Sequence, residues 1–267
     1  MPVERVELDP RAREFYARTL AVLNQAGVPY LLGGAYAFAL YTGIERHTKD
    51  MDIFARRADR DRILAALEAA GYRTEVPFPH WLAKAYSERD FFIDVIYSSG
   101  NGESEVDDEW FEHARPGTLL GLPVRRCPPE ELIWSKAYVM ERERFDGADV
   151  IHLVRACGPA MDWDRLLRRF GPHWRVLLAH LVLFGYAYPD AREAVPAWVL
   201  HQLIDRLRDE VDQPAATERV CFGTLLSREQ YLTDIGRWGY HDGRLEPWGR
   251  MTPEEIAHWT AAIAEKG

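Results

Sequence analysis

Cysteine is scarce in this chain of 267 residues: Cys127, Cys157 and Cys221 are the whole complement, far apart and with no Cys-x-x-Cys among them. Such spacing supports neither a disulfide framework nor a thiolate zinc site, and it suits a reducing cytoplasm, the expected location. Positive charge is short as well. With 33 Lys and Arg against 42 Asp and Glu, the formal net charge is −9 and the pI is near 5.5. That balance disfavours extended nucleic-acid binding, although a local basic patch can still hold a short strand. Long hydrophobic runs are missing. The most apolar stretch, residues 174–188, contains Arg175 and His180 and is too short for a membrane span. His180 reads there as a core histidine, since no second histidine stands at metal-ligand spacing. Residues 1–10 alternate charges and lack the apolar centre of a secretory signal. Neither a Gly-Lys-Ser/Thr nor a Gly-x-Gly-x-x-Gly occurs, which excludes the P-loop and dinucleotide fingerprints. What remains, 47% hydrophobic and 28% charged, is ordinary globular composition, enough for two modest domains or one large one.

Against this background the acidic and glycine residues of the first hundred positions stand out. Gly33-Gly34 ends an apolar strand at residues 29–32 and opens a helix at 35–41. A glycine pair at such a junction lets backbone N–H groups approach a phosphate, and the helix N-terminus adds a favourable dipole. Downstream, Arg46-His47-Thr48-Lys49-Asp50-Met51-Asp52 leads into a second strand. Side chains alternate along a strand, so Asp50 and Asp52 share a face while Met51 and Ile53 take the other. Two like charges so close call for a cation, and hard oxygen donors favour Mg²⁺ or Mn²⁺ over zinc. Asp94 interrupts an apolar run at residues 91–97 with the composition of a buried strand. A lone carboxylate there would be costly, which makes it the natural third member of a metal site.

The order strand, Gly33-Gly34, helix, Asp50-x-Asp52 and a later strand Asp94 resembles the DNA polymerase β-like nucleotidyltransferase superfamily. Gly33-Gly34 through Arg46-x-Thr48-x-Asp50-x-Asp52 resembles more narrowly the bacterial branch of minimal, antibiotic and toxin-type nucleotidyltransferases. A His-Gly often precedes the arginine in that branch; here those positions read Thr42-Gly43. The resemblance implies that Asp50, Asp52 and Asp94 hold Mg²⁺ (or Mn²⁺) and form the catalytic centre, with Asp94 also able to accept the proton of the attacking hydroxyl. It further implies that Gly33, Gly34, Arg46 and Thr48 contact or frame the nucleoside triphosphate. Lys136, shortly after a helix start, is the corresponding candidate for a phosphate contact.

The rest of the chain supports an α+β fold: a mixed β-sheet nucleotidyltransferase domain with helices at residues 1–126, then a mainly α-helical C-terminal domain with an irregular tail at 127–267. Periodicity predicts helices at 10–25 and 59–70, strands near 72–76, 82–86 and 91–97, and a hairpin at 118–126. Residues 98–108, rich in Gly, Ser and acid, read as an acidic surface connection. From Pro128-Pro129-Glu130-Glu131 onward the pattern turns helical, with Leu132, Ile133, Ala137 and Met140 directed inward. Further helices are expected at 148–157, 162–170, 174–186 and 197–209, a short one at 227–234, and a last one capped by Thr252-Pro253-Glu254-Glu255. Trp238, Tyr240 and Arg244 read as anchors of the tail, with a wall for an acceptor as the rival reading.

The function expected from these residues is metal-dependent transfer of a nucleoside monophosphate from an NTP to a small-molecule, tRNA or protein acceptor, with release of pyrophosphate and no membrane involvement. Two rivals are a non-catalytic nucleotide-binding regulatory module and the toxin component of a toxin–antitoxin pair.

Overall fold

Met51 and Ile53, Ala83 and Ala85, and Ile93 and Val95 are fully buried, while Asp50, Asp52, Lys84 and Asp94 beside them are only half-buried. Strands with this alternation lay one face on a core and keep the other for polar groups. The computed structural model of the protein describes residues 9–46, 48, 50–87 and 91–262. His47 and Lys49 of the acidic motif lie outside the described residues, as does the N-terminal stretch 1–8 read above as free of a signal core. The chain divides into two compact units, residues 1–128 and 129–267.

The first unit begins with α1 (Pro10–Ala26), started by Asp9, whose carboxylate accepts the Arg11 N–H at 2.7 Å, and by proline in the first turn. There follow β1 (Leu31–Leu32), α2 (Gly34–Thr42), β2 (Asp50–Phe54), α3 (Arg60–Ala69), β3 (Arg73–Phe78), β4 (Leu82–Tyr86) and β5 (Phe92–Ile96). A short α4 (Asp108–Glu112) and the hairpin β6 (Arg115–Leu119) and β7 (Leu122–Arg126) complete it. The strands form one mixed sheet in the order β3-β4-β5-β2-β1-β7-β6. β2 and β5 run parallel, as do β1 and β7, and the other neighbours are antiparallel. Phe15, Tyr16, Leu20 and Leu23 of α1 and Ile63, Leu64 and Leu67 of α3 join the apolar strand residues in a single core. Truncating one of these, Leu20 for example, would cost about 2–5 kcal/mol.

Residues 98–108 differ from the surface connection expected of them: Ser98, Asn101, Glu103, Ser104 and Val106 are buried. Local hydrogen bonds explain it. The Ser99 hydroxyl accepts the Ser104 N–H at 2.9 Å, Asn101 Oδ1 accepts the Glu103 N–H at 3.1 Å, and the Val106 N–H donates to the Tyr97 carbonyl at 3.1 Å. Asp107 then caps α4, which turns Trp110 inward against Phe54.

The second unit holds α5 (Pro129–Ala137), α6 (Gly147–Cys157), α7 (Trp163–Phe170), α8 (Trp174–Ala187) and α9 (Ala197–Val211). An irregular region follows, with β8 (Val220–Cys221), α10 (Leu232–Gly236), β9 (His241–Asp242) and α11 (Pro253–Ala261). α5 stops before Met140, which instead forms a bridge with Phe145 around a tight turn closed by the Glu141 N–H on the Arg144 carbonyl at 2.8 Å. The short helix expected at 227–234 lies later, at Leu232–Gly236, because the Ser227 hydroxyl engages the Glu229 and Gln230 N–H groups in a turn. The parallel pair β8 and β9 carries no alternation long enough to be read in sequence. Arg244 is buried, forked onto Asp242 at 2.6 and 3.0 Å and lying over the Trp259 ring, so it fastens the tail. His180 is buried too, with Nε2 at 2.8 Å from the Ala137 carbonyl and its ring stacked on Phe145. Among the described residues no helix is long and apolar enough to cross a membrane.

Candidate active site

Strand pairing in the first unit sets charged residues side by side. Asp52 of β2 pairs in register with Asp94 of β5, Asp94 with Lys84 of β4, and Lys84 with Glu75 of β3. At the other end the Gly33 N–H donates to the Asp52 carbonyl at 2.9 Å, continuing the row to the glycine turn. Asp50 lies two residues before Asp52 and so on the same face. Asp50, Asp52 and Asp94 offer carboxylate oxygens that all lie within 4.8 Å of one another, and each residue is half-buried. The parallel pairing of β2 and β5 brings together carboxylates that are distant in the chain.

Each carboxylate has its own surroundings. The Thr48 hydroxyl meets the Asp50 carbonyl at 3.0 Å and hydrogen-bonds Asp50 Oδ1, fixing the entry into β2. Asp94 Oδ1 receives Lys84 Nζ at 2.6 Å, a pair in which the side chains are 19% and 14% exposed. Burial pushes the Asp94 carboxyl above its ordinary range, Lys84 opposes that, and nearby Asp50 adds to it. Gly34 stands against Asp52. It has φ +50°, and a Cβ there would lie 1.7 Å from Asp52 Oδ2, so backbone and carboxylate touch with no room for a side chain.

Gly33 takes the N-cap position of α2, and no side chain caps that end, so the first N–H groups of the helix adjoin the acidic cluster without a side-chain acceptor. Tyr36, in the first turn of α2, has a buried hydroxyl with no hydrogen-bond partner among the described residues. Burial first, and then Asp50 and Asp52, push the Tyr36 hydroxyl well above the usual tyrosine range, so it stays a proton donor at neutral pH. Tyr16 is raised in the same way, with burial as the main cause. Arg46 is exposed and lies over the Phe38 ring of α2, 4.7 Å from its centroid.

Lys136 belongs to the second unit, where Nζ lies 3.2 Å from Asp146 Oδ2 and 2.9 Å from Asp149 Oδ2. Burial works against the Asp146 charge, but Arg144 and Lys136 hold its carboxyl below the usual range. Lys84, Tyr16 and Tyr36 escaped the reading of the sequence. A signal for Lys84 existed: it is the single charge in Leu82-Ala83-Lys84-Ala85-Tyr86, and an ammonium at the centre of a half-buried strand needs a counter-ion.

The residues fit a divalent cation. Three carboxylates converge within 4.8 Å, all donors are hard oxygens, and the buried Tyr36 hydroxyl that feels Asp50 and Asp52 has no hydrogen-bond partner among the described residues.

Among solved structures, the chain is similar to the antibiotic-resistance factor ANT(2'')-Ia, at 20% identity over 65% of this chain and 98% of that one, with a TM-score of 0.47. It is also similar to the lincosamide antibiotic adenylyltransferase LnuA with lincomycin bound, at 19% identity over 55% of this chain and 96% of that one, with a TM-score of 0.39. A third is an antigenic nucleotidyltransferase-like protein from Paracoccidioides brasiliensis, at 16% identity over 71% and 96% of the two chains and a TM-score of 0.45. No curated protein matches the sequence. The model of one protein family, however, matches residues 12–181, a span that runs from α1 through the paired strands of the acidic site and into α8. By that match the chain belongs to the family described as uncharacterised nucleotidyltransferase.

Proposed function

We propose that the chain transfers a nucleoside monophosphate from an NTP to a hydroxyl acceptor in a reaction that depends on Mg²⁺ or Mn²⁺. One observation carries the proposal: Asp50, Asp52 and Asp94 converge within 4.8 Å beside a glycine turn at a helix N-terminus. Asp50 and Asp52, with Asp94, would hold the divalent cation, which when bound neutralises the charge that builds on the attacking and leaving oxygens of an in-line displacement. The chain's own groups supply position. Gly33 and Gly34 bring backbone N–H groups to the triphosphate at the N-terminus of α2, whose dipole favours an anion, while their missing Cβ atoms leave room for Phe54 and Asp52. Tyr36 adds a hydroxyl donor, and Thr48 keeps Asp50 aimed. Arg46, exposed over the Phe38 ring, would take up phosphate charge from the loop before β2.

Asp94 accepts the proton of the acceptor hydroxyl. The acceptor oxygen then forms a bond to the α-phosphorus, and the bond from that phosphorus to the bridging oxygen breaks, releasing pyrophosphate. Lys136 would have to exchange Asp146 and Asp149 for phosphate to take part. The acceptor is a small molecule, a tRNA end or a protein.

The test incubates the purified protein with each of the four labelled NTPs, Mg²⁺ or Mn²⁺ and a cell lysate, and follows pyrophosphate release and the labelled product. Label in a new product, lost when Asp52→Asn replaces the wild type, supports the proposal. NTP binding without pyrophosphate release over a broad acceptor panel would instead favour a regulatory module.

A further inference from the structure

Three carboxylates within 4.8 Å of one another would repel strongly if left alone, and the strand register supplies them with a built-in cation. Lys84 sits opposite Asp94 in the antiparallel pairing of β4 and β5, and its Nζ reaches Asp94 Oδ1 at 2.6 Å. Its ammonium also lies 4.0 Å from the centroid of the Phe92 ring, which keeps the side chain over the strand face. On its other side the paired residue is Glu75, but that carboxylate is taken by Arg73 at 3.1 Å and by the Tyr86 hydroxyl. Lys84 is therefore committed to the acidic site.

We infer that Lys84 is a positioning residue that competes with the divalent cation for Asp94, and so sets how tightly the site takes up metal. The inference rests on the metal-site reading of the triad. A carboxylate oxygen in a close ion pair with an ammonium has to give up that partner, wholly or in part, before it can coordinate a metal. The free energy of the Lys84–Asp94 pair is thus subtracted from metal binding. The same pair does the opposite for the fold when metal is withheld: it compensates one of three crowded negative charges and lowers their mutual repulsion. Lys84 thereby makes the folded protein less dependent on metal at the expense of metal affinity.

The variants are Lys84→Met, which keeps length and removes charge, and Lys84→Arg, which keeps charge. Lys84→Gln gives the same neutral readout should Met not fold. Mn²⁺ binding is titrated by electron paramagnetic resonance at about pH 8, above the ordinary carboxylate range, and melting is followed in EDTA and in Mn²⁺. Competition between an ammonium and a metal predicts Mn²⁺ binding on the order of tenfold tighter in Lys84→Met, from the loss of one close positive charge, and near the wild-type value in Lys84→Arg. It also predicts a lower Tm than wild type for Lys84→Met in EDTA and a larger rise on adding Mn²⁺. Unchanged or weaker Mn²⁺ binding in the neutral variants, with the wild type binding normally, would overturn the competition and leave Lys84 a plain structural support. Failure of wild type and variants alike to bind Mn²⁺ would overturn the metal-site reading, and the inference with it.

Discussion

Gly34 and Asp52 are packed so closely that a Cβ on the glycine would stand 1.7 Å from Asp52 Oδ2, and Gly34 also has a left-handed φ of +50°. Both facts bear on the same few atoms: the turn that begins α2 and the carboxylate at the end of the charged row on the sheet. The glycine turn and the acidic motif are thus one structure, with Asp52 clasped by Gly33 through its carbonyl and by Gly34 along its side chain.

Gly34→Ala should therefore damage binding beyond its cost to the fold. Strain in the left-handed region is about 1–3 kcal/mol, and relief of the overlap must displace Asp52, the turn, or both. The expected outcome is a lower Tm together with loss of the Tm rise that Mg²⁺ and NTP give the wild type. A normal ligand-induced rise in this variant would show that the turn does not contact the nucleotide.

Asp52→Asn should abolish transfer and yet stabilise the protein in EDTA. Activity should fall by at least about a hundredfold, since losses around a metal site that never touch the metal already cost roughly 10–100-fold. Stability should rise by about 0.5–1 kcal/mol, because one of the crowded charges disappears. Thermal melts in EDTA, with pyrophosphate release as the activity readout, test both halves, and wild-type turnover would remove Asp52 from the mechanism.

How much of this was legible in the sequence follows from how local each signal is. Alternation along residues 50–54 and 82–86 belongs to single strands, and so does the apolar run broken by Asp94, so strands and acidic candidates could be read directly. The capping box at Thr252 and Glu255 is likewise written in four adjacent residues. Pairing partners are not local. Nothing in the chain says that β5 inserts between β4 and β2, and only that insertion sets Lys84 against Asp94 and Asp94 against Asp52. Tyr36 shows the same limit: its role depends on which carboxylates face the first turn of α2, a matter of packing. Residues 98–108 were misread as exposed because acid and glycine content signals solvent, whereas here Ser99 and Asn101 satisfy the backbone and let the segment pack inward.

Asp94→Asn should behave in the opposite sense to Asp52→Asn when metal is withheld. It removes the counter-ion of Lys84 and leaves a mostly buried ammonium facing a neutral amide. A cost of about 1–3 kcal/mol is expected, reduced from that of a fully buried pair because both side chains keep some solvent contact. Urea unfolding in EDTA measures it. If Asp94→Asn proved as stabilising as Asp52→Asn, the Lys84–Asp94 pair would contribute nothing to the fold.

In the second unit, pH tests a buried charge network that the acidic site does not use. Glu131 is fully buried between Arg165 and Arg169, with Nε of each at 3.2 Å. Burial pushes its carboxyl from 4.5 up to about 7, even though both arginines pull it down. A carboxyl with a folded-state pKa above its unfolded value contributes stability that is complete below the unfolded pKa and is lost as pH rises through the folded one. Between pH 4.5 and about 7, wild-type stability should therefore decline relative to Glu131→Gln, which cannot ionise, by up to about 3 kcal/mol. Urea melts of both proteins across that window isolate the effect, because the fixed cost of altering the contacts with Arg165 and Arg169 cancels from the slope. A stability difference constant across the window would mean that the two arginines keep Glu131 ionised throughout.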